Sequence, residues 1–221
     1  MQAAILSMGD ELALGQTVDT NAAWLSGRLA GLGIPVREHV TIGDDLEATL
    51  RQLKRLAGES DLILASGGLG PTDDDLTRHA LARLLGVELE LHEPSLQQIQ
   101  TIFDRMGWKM SPKNIIQAMI PRGCEVIENT CGTAPGLAAD LGGTPAFFLP
   151  GVPSEMKKMY ELAVEPRLRQ YLAGRAAAGV ICSRTLHAFG IGESNIAQRL
   201  GEMMARGKNP VVNTTAAHGI I

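Results

Sequence analysis

The sequence predicts an α/β protein built around a mostly parallel sheet. Short apolar runs, such as Ala3 to Leu6 and Leu62 to Ala65, alternate with segments whose apolar residues recur at helical spacing. Strands and helices in this alternation form right-handed βαβ crossovers, which make the strands parallel. Glycine-rich loops follow several of the predicted strands. In sheets of this kind the ligand crevice lies at the carboxyl ends of the strands.

The first half of the chain is predicted to contain three strands separated by helices: Ala3 to Leu6, Val36 to Ile42 and Leu62 to Ala65. A loop from Gly9 to Asn21 follows the first strand and leads into a helix that ends at Gly33 and Pro35. The next helix is predicted to begin at Asp44, which forms a capping-box-like pair with Glu47. We favour this capping role for Asp44 over a role in a ligand pocket.

The second half continues the alternation. Its predicted strands are Val87 to Leu91, Leu137 to Ala139 and Ala146 to Leu149. An amphipathic helix lies between the first two of these strands, and the segment from Trp108 to Gln117 after it is less regular. Two loops of small residues, at 132–136 and 150–156, complete the region. The position of ligand crevices in such sheets puts three loops on one edge: Gly9 to Asn21, Gly43 to Asp45 and Ser66 to Asp75.

Composition limits the classes of protein to consider. At 221 residues the chain can form one substantial α/β domain and a small appended unit. A formal net charge of -4 argues against a surface that binds nucleic acid. Cys124, Cys131 and Cys182 show no CxxC spacing, so we expect reduced thiols. The first residues do not resemble a signal peptide, and no apolar run approaches the roughly 18 residues of a membrane helix. We expect a cytoplasmic protein.

The most informative stretch is Ser66 to Thr77, which joins a buried strand to a helix. Gly67, Gly68 and Gly70 would let the phosphates of a ligand approach backbone N–H groups. The three carboxylates from Asp73 to Asp75 would repel a bare phosphate, unless a divalent cation lies between them. The same pattern is also typical of a tight turn followed by acidic residues at a helix start. The hypothesis is a metal-assisted nucleotide or diphosphate site.

Several motifs together closely resemble the competence-damage-inducible protein (CinA) family. They are Gly-Gly-Leu-Gly-Pro-Thr-x-Asp-Asp-x-Thr at 67–77, Lys113-Asn114-x-x-Gln117, Gly-Thr-Ala-Pro-Gly at 132–136 and Leu-Pro-Gly-Val-Pro-Ser-Glu-Met at 149–156. Gly9 to Leu12 and Thr20-Asn21 match the start of the family. The resemblance spans about residues 3 to 170 in the correct order. It implies a three-layer α/β/α fold similar to the molybdopterin-binding domain of molybdenum-cofactor proteins.

The sequence departs from the molybdopterin-handling proteins of that superfamily at two positions. Those proteins usually have Gly-Gly-Thr-Gly followed by Arg-Asp, whereas this chain has Leu69 in place of the threonine and Asp74 in place of the arginine. Losing a cation and gaining a carboxylate favours a metal-bridged diphosphate over direct binding of a pterin phosphate. This difference favours the CinA branch.

What the resemblance implies is an enzyme that hydrolyses the diphosphate of ADP-ribose or a related nucleotide to AMP and ribose 5-phosphate. Asp74 and Asp75 would hold the cation, with Mg²⁺ expected and Mn²⁺ or Co²⁺ as alternatives, and Asp73 would lie behind them. Metal-bound water would attack phosphorus, backbone amides of Gly67 to Gly70 would hold phosphate oxygens, and Lys113 would stabilise the leaving phosphate.

The residues expected to bind substrate come from the same loops. Thr72, Asn114 and Gln117 would position the substrate, although Asn21 is also typical of a helix start. The full set is Gly9, Glu11, Asn21, Gly67, Gly68, Gly70, Thr72, Asn114, Gln117, Gly132, Thr133, Ala134, Pro150, Gly151, Pro153 and Glu155.

The chain is expected to divide into a molybdopterin-binding-like domain at 1–172 and a smaller unit at 179–221. The smaller unit resembles a shortened KH-like domain, with a strand at Val180 to Phe189, a turn at Gly190 to Ser194, a helix and the start of a hairpin. A nucleic-acid-binding KH module needs a basic GxxG loop, and the corresponding loop here is acidic, which disfavours RNA. Some family members carry a further domain that deamidates nicotinamide mononucleotide, for which this chain has no residues left.

Two other functions stay open. The first is a pterin- or nucleotide-binding module without catalysis, which would bind ligand tightly without turnover. The second is an oligomerisation or regulatory domain for a nicotinamide mononucleotide deamidase. In each case we expect a homodimer or another homo-oligomer, no nucleic acid and no membrane partner.

Overall fold

The computed structural model describes residues 1–173, 184–216 and 220–221. The chain divides into two compact units, Met1–Ile181 and Cys182–Ile221. None of the helices in these described ranges combines the length and the hydropathy that a membrane span requires.

The first unit contains a six-stranded sheet and a separate two-stranded sheet. The strands are β1 (Ala3–Met8), β2 (Val36–Ile42), β3 (Leu62–Ser66), β4 (Leu89–Leu91), β5 (Met119–Pro121), β6 (Glu125–Ile127), β7 (Gly136–Asp140) and β8 (Pro145–Leu149). The large sheet has the order β2-β1-β3-β8-β7-β6, and β4 pairs with β5. The first four strands of the large sheet are mutually parallel, whereas β7 and β6 run antiparallel to their neighbours. The predicted mostly parallel sheet is therefore confirmed.

Helices cover both faces of the large sheet. They are α1 (Asp10–Ala13), α2 (Thr20–Gly31), α3 (Leu46–Glu59), α4 (Thr77–Leu85), α5 (Glu93–Met106), α6 (Pro153–Met159) and α7 (Glu165–Ala173). A 3₁₀ helix spans Pro112–Ala118, and a π-helical segment, Tyr160–Val164, joins α6 to α7. Two of the helices end at glycines in the left-handed conformation, Gly86 after α4 and Gly107 after α5.

Two apolar cores, one on each face of the large sheet, make the fold three-layered. Along β1, Ala3 and Ile5 pack on one side with Leu25 of α2, whereas Ala4 and Leu6 pack on the other. The side chains alternate because successive residues of a strand point to opposite faces. Every residue of β1 and β3 is buried. The predicted α/β/α architecture is therefore confirmed.

The strand register brings the loops of the candidate site together. Ser7 of β1 lies beside Ser66 of β3, and Ser66 lies beside Leu149 of β8. Because these strands are parallel, their carboxyl ends meet at one edge of the sheet. The loops that begin at Gly9, Gly67 and Pro150 are consequently neighbours in space.

The structure corrects three local predictions. A short helix, α1, occupies the start of the predicted loop after β1. The strand predicted at Val87 to Leu91 is shorter and belongs to the small sheet. The cap of α3 is Asp45, whose side chain accepts a hydrogen bond from the Ala48 N–H at 2.5 Å. The capping role predicted for Asp44 was wrong, because the helix begins one residue later.

The second unit contains α8 (Glu193–Leu200) and a short 3₁₀ helix, Gly201–Met204. Phe189 forms an antiparallel bridge with Ile220. Residues 180–183 of the strand predicted at Val180 to Phe189, and the hairpin predicted at His218, lie outside the described residues. Residues 184–188, which are described, form no regular strand.

Candidate functional site

A cavity of about 460 Å³ lies at the carboxyl edge of the large sheet. Its lining residues come from the loops after β1, β2, β3 and β8, with additions from the 3₁₀ helix and the loop before β7. They are Met8, Gly9, Glu11, Asp44, Gly67, Gly68, Leu69, Gly70, Pro71, Thr72, Asp74, Asp75, Gln117, Thr133, Ala134, Pro150, Gly151, Val152 and Glu155. Fourteen of the residues predicted from the sequence are therefore among the lining residues.

Glycine is required at the start of the turn after β3. Gly67 has a φ of +109°, and a Cβ there would lie 2.1 Å from the carbonyl oxygen of Met8. Gly68 has a φ of +65°, and its Cβ would lie 2.4 Å from Thr77 Oγ1. Real side chains do not tolerate either contact, so only glycine lets the backbone pass between β1 and the start of α4.

The N–H groups of this turn divide into two pairs. The Gly67 N–H donates to the Leu149 carbonyl at 3.0 Å, and the Gly70 N–H donates to Asp75 Oδ1 at 2.6 Å. Neither the Gly68 nor the Leu69 N–H has a hydrogen-bond acceptor in the part of the chain that the structure describes. Two of the four amides expected to hold phosphate are thus engaged within the protein, and two remain to bind a ligand.

The Asp75 carboxylate stabilises the loop after β3 through hydrogen bonds to its backbone. Its Oδ1 accepts from the Gly70 N–H, and its Oδ2 accepts from the Thr72 N–H at 2.9 Å. A carboxylate that bonds two backbone N–H groups holds them in a fixed geometry. The contacts therefore support a structural role, and the predicted role of Asp75 as a metal ligand stays a prediction.

Five carboxylates line the cavity: Glu11, Asp44, Asp74, Asp75 and Glu155. No lysine, arginine or histidine is among the lining residues. Burial raises the pKa of the Asp44 carboxyl, and the nearby charges of Asp10, Asp74 and Glu11 raise it further. Hydrogen bonding from the Thr72 side chain lowers the pKa of the Asp74 carboxyl, which is exposed. The cavity is strongly negative.

Asp44 and Asp10 hold the loops after β2 and β1 together. The Asp44 N–H donates to Asp10 Oδ1 at 3.0 Å, and the Asp10 N–H donates to Asp44 Oδ2 at 3.1 Å. Asp44 is therefore a site residue. Its position directly after the second parallel strand was the signal that could have indicated this, because the preceding strand ends at the same edge of the sheet.

Lys113 does not line the cavity. Its Nζ lies 3.0 Å from Asp73 Oδ2, and both side chains are exposed. An exposed pair of this kind contributes little to stability. The predicted role of Lys113 in catalysis stays a prediction. Its ion pair among the described residues is with Asp73, the member of the acidic run that also lies outside the cavity.

A chain of hydrogen bonds fixes the wall formed by the 3₁₀ helix. The Asn114 side-chain amide donates to Gln117 Oε1 at 3.2 Å, and the Gln117 amide donates to Thr133 Oγ1 at 3.1 Å. Asn114 does not line the cavity, whereas Gln117 and Thr133 do. The Thr133 hydroxyl accepts this bond and donates to no acceptor among the described residues, so its proton is available to a ligand.

Asn21 lies below the cavity in the first turn of α2. Its side-chain amide donates to Ser66 Oγ at 3.0 Å and to the Gly151 carbonyl at 2.8 Å. Ser66 Oγ in turn donates to the Pro150 carbonyl at 3.1 Å. Asn21 thus ties the loop after β8 to the end of β3, and its role in binding substrate stays a prediction. Gly132 and Pro153 likewise lie outside the lining.

Three residues that were not predicted to bind substrate or metal support the site. Asn129 is buried and donates to Glu155 Oε2 at 2.6 Å and to the Ala134 carbonyl at 2.9 Å. Thr77 and the fully buried Arg78 contact carbonyls of the glycine turn. An arginine at a buried position of α4 gives no distinctive pattern, because arginine is usually a surface residue.

No group of three or more histidine, cysteine, aspartate or glutamate side chains is arranged to hold a metal among the described residues. The carboxylates of Asp44 and Asp74 nevertheless provide the hard oxygen ligands that Mg²⁺ prefers. A cation at this site would need further ligands from water or from a bound molecule.

Two family matches cover most of the chain. Residues 4–170 match the family described as "Probable molybdopterin binding domain". Residues 183–221 match the "Damage-inducible protein CinA KH domain".

Full-chain relatives agree with these matches. A CinA-like protein from Dictyoglomus turgidum is 42% identical over 219 residues, which cover 99% of this chain and 52% of the relative. Another from Desulforapulum autotrophicum is 43% identical over 206 residues, which cover 92% of this chain and 48% of the relative. The chain therefore spans about half the length of the curated relatives it matches.

Solved structures share the fold. The protein CinA from Thermoplasma acidophilum, described as having unknown function, matches with a TM-score of 0.69 and 36% identity, covering 75% of this chain and 96% of that one. The molybdopterin biosynthesis enzyme MoaB from Thermus thermophilus matches with a TM-score of 0.53 and 23% identity, covering 80% of this chain and 98% of that one. The second likeness concerns the fold alone.

These comparisons overturn the prediction of ADP-ribose hydrolysis. The matched family is described by molybdopterin binding, and the full-chain relatives are named CinA-like proteins. The site gives a physical reason as well. The lysine expected to stabilise the leaving phosphate lies outside the cavity, and one of the two expected metal ligands is engaged within its own loop.

The two family matches, the full-chain relatives and the shared fold support one conclusion. The chain belongs to the CinA family, with a molybdopterin-binding-type domain followed by a CinA KH domain.

Proposed function

We propose that the cavity binds a phosphate-bearing heterocycle, of the molybdopterin or nucleotide type, together with a divalent cation. Its volume of about 460 Å³ lies within the range of small-molecule sites. It is open at the edge of the sheet where ligands bind in α/β proteins. The relatives and structures named above include a molybdopterin biosynthesis enzyme with this fold.

The strongest support is the combination of two free N–H groups with a negative lining. The Gly68 and Leu69 N–H groups are suited to phosphate oxygens. The five carboxylates would repel the same phosphate, since no cationic side chain is among the lining residues. A divalent cation between the carboxylates and the phosphate removes this conflict.

Mg²⁺ suits this arrangement because it usually takes one or two protein carboxylates and completes its coordination with water and phosphate oxygens. Asp44 and Asp74 would hold it. When bound, the cation would neutralise charge between carboxylate and phosphate. Mn²⁺ and Co²⁺ are alternatives with the same type of ligand. On the opposite wall, the Thr133 hydroxyl and the Glu155 carboxylate would orient the heterocycle.

We also propose that the bound ligand undergoes a chemical step, because a solved protein with this fold is named an enzyme. We also keep the predicted homo-oligomer as a proposal, which sedimentation of the purified chain would test.

Isothermal titration calorimetry with ADP and with molybdopterin tests the proposal. We expect at least one of them to bind, with an affinity that Mg²⁺ increases by about tenfold or more, since the cation would offset the repulsion between the cavity's carboxylates and the phosphate. The double substitution Asp44→Asn and Asp74→Asn should abolish the Mg²⁺ dependence.

Asp73→Asn is the matched control, because Asp73 belongs to the same acidic run but does not line the cavity. It should leave both the affinity and its Mg²⁺ dependence unchanged. The proposal fails if neither ligand binds with or without Mg²⁺, or if the control loses as much affinity as the double variant.

A further inference from the structure

Thr77, the first residue of α4, holds two successive peptide groups of the glycine turn. Its Oγ1 donates to the Gly67 carbonyl at 3.1 Å, and its own N–H donates to the Gly68 carbonyl at 3.2 Å. The same hydroxyl lies 3.6 Å from Met8 Sδ, but a thioether is a weak acceptor, so the proton goes to the carbonyl oxygen. Both carbonyls therefore point toward α4.

These two contacts fix the direction of the N–H group that follows each carbonyl. In a planar trans peptide the carbonyl of one residue and the N–H of the next point in opposite directions. The Gly67 carbonyl shares its peptide with the Gly68 N–H, and the Gly68 carbonyl shares its peptide with the Leu69 N–H. Both N–H groups therefore point away from Thr77. Neither has an acceptor among the described residues, and both belong to residues that line the cavity.

The next peptide of the turn is held by other residues and offers no donor to a ligand. Arg78 donates to the Leu69 carbonyl, and the Gly70 N–H donates to Asp75 Oδ1 at 2.6 Å. The amides left for an anion are therefore those of the two peptides that Thr77 holds.

The two glycines make this hold necessary. Gly67 and Gly68 have φ angles of +109° and +65°, and glycine adopts left-handed and right-handed conformations about equally readily. The peptide between them can therefore turn over at little cost unless a hydrogen bond holds it. If it turned over, the Gly67 carbonyl would face the cavity and repel the oxygen atoms of an anion. Thr77 is buried and does not line the cavity, so it acts from behind the turn.

We infer that Thr77 is a positioning residue for the phosphate of the ligand. Its hydroxyl holds the peptide between Gly67 and Gly68 so that the Gly68 N–H, together with the Leu69 N–H, faces the cavity before the ligand arrives. The inference rests on the proposed function, since it concerns the same cavity and the same anion. Donors that are already in place need no reorganisation on binding, so loss of the hydroxyl should weaken binding even in a protein that stays folded.

Titration of the full chain with inorganic pyrophosphate and Mg²⁺, followed by ¹H–¹⁵N NMR, tests this inference. In the wild-type protein the Gly68 and Leu69 amide signals should shift until saturation. Thr77→Val removes the hydroxyl with little change of volume, so the affinity for pyrophosphate should fall by roughly threefold to tenfold. The shift of the Gly68 amide at saturation should also be smaller, because its peptide is no longer held in one direction. Thr77→Ser keeps the hydroxyl and should bind as the wild type does.

Thr144→Val is the matched control. Thr144 is also buried, and its Oγ1 donates to the Ala57 carbonyl at 2.8 Å, but it lies directly before β8, at the edge of the sheet opposite the cavity. The substitution removes a hydroxyl-to-carbonyl bond of the same kind, so it should lower the melting temperature without changing the affinity for pyrophosphate. Thr77→Ala covers the case in which Thr77→Val does not fold. It also lacks the hydroxyl, and the same loss of affinity is expected.

The outcomes separate the two proposals. If the wild-type amides of Gly68 and Leu69 do not respond to pyrophosphate with Mg²⁺, both the phosphate-binding function and the role of Thr77 are refuted. If they respond, and folded Thr77→Val or Thr77→Ala binds with wild-type affinity and the same amide shifts, only the positioning role is refuted. The positioning role is also refuted if Thr77→Ser binds as weakly as Thr77→Val, or if Thr144→Val loses as much affinity.

Discussion

Substituting Gly67 with alanine should destabilise the first unit far more than a glycine substitution elsewhere. A Cβ at Gly67 would lie 2.1 Å from the Met8 carbonyl oxygen, whereas ordinary contact begins at 3.4 Å. The backbone of β3 or β1 must move by about 1.3 Å to relieve this overlap. The φ of +109° adds strain for any residue with a side chain.

We expect Gly67→Ala to lower the free energy of unfolding by about 3 kcal/mol or more, combining backbone strain of about 1 kcal/mol with displacement of buried strand ends. Gly15→Ala is the matched control. Gly15 also has a positive φ, of +72°, but its Cβ would meet no atom within 4 Å. The control should therefore lose only the strain, about 1 kcal/mol.

Urea denaturation followed by the fluorescence of Trp24 measures both variants. Trp24 is half-buried in α2, and its ring centroid lies 5.3 Å from that of Tyr160, so it reports unfolding of this unit. The close approach of β3 to β1 would be refuted if Gly67→Ala were as stable as Gly15→Ala or the wild type.

Two further predictions concern the carboxylates and their supports. Burial and neighbouring charges raise the pKa of the Asp44 carboxyl in the folded state above its value in the unfolded chain. The ionised carboxylate therefore lowers the stability of the fold at a pH above the folded-state pKa. This loss disappears as the pH falls through the folded-state pKa to below the pKa in the unfolded chain. Asp44→Asn should therefore raise the melting temperature at pH 7 but not near pH 3.5, below the ordinary aspartate pKa of about 3.9; an equal effect at both pH values would contradict this. Asn129→Asp should lower the free energy of unfolding, measured by urea denaturation at pH 7, by about 3 kcal/mol. The reason is that a buried carboxylate would replace an amide that donates to Glu155 and to the Ala134 carbonyl. A loss below about 1 kcal/mol would show that the amide contacts do not hold this wall.

The sequence predicted the sheet well because its strands are uniformly apolar. Leu62 to Ala65 is buried on both faces, which leaves a continuous apolar run with glycines directly after it. The same rule placed most of the lining residues, since loops after parallel strands share one edge. These features depend on neighbours in sequence or on the general geometry of the fold.

Other features depend on contacts that the sequence does not encode locally. Asp44 and Asp45 are both acceptable caps, and only the exact start of α3 decides between them. Lys113 lies in the less regular segment from Trp108 to Gln117. The apolar residues of that segment show no periodicity that would indicate which side chains face the cavity. Arg78 was missed because its burial depends on the path of the glycine turn above α4. The charge of the cavity could be predicted, but its supporting contacts could not.

A crystal structure with Mn²⁺ and ADP would test the central claim most directly, because anomalous scattering locates the metal independently of the model of the ligand. The predicted result is a Mn²⁺ peak between the ligand phosphates and the carboxylates of Asp44 and Asp74, with phosphate oxygens on the Gly68 and Leu69 N–H groups. A metal or phosphate bound elsewhere, with this cavity holding only water at saturating ligand, would contradict the account.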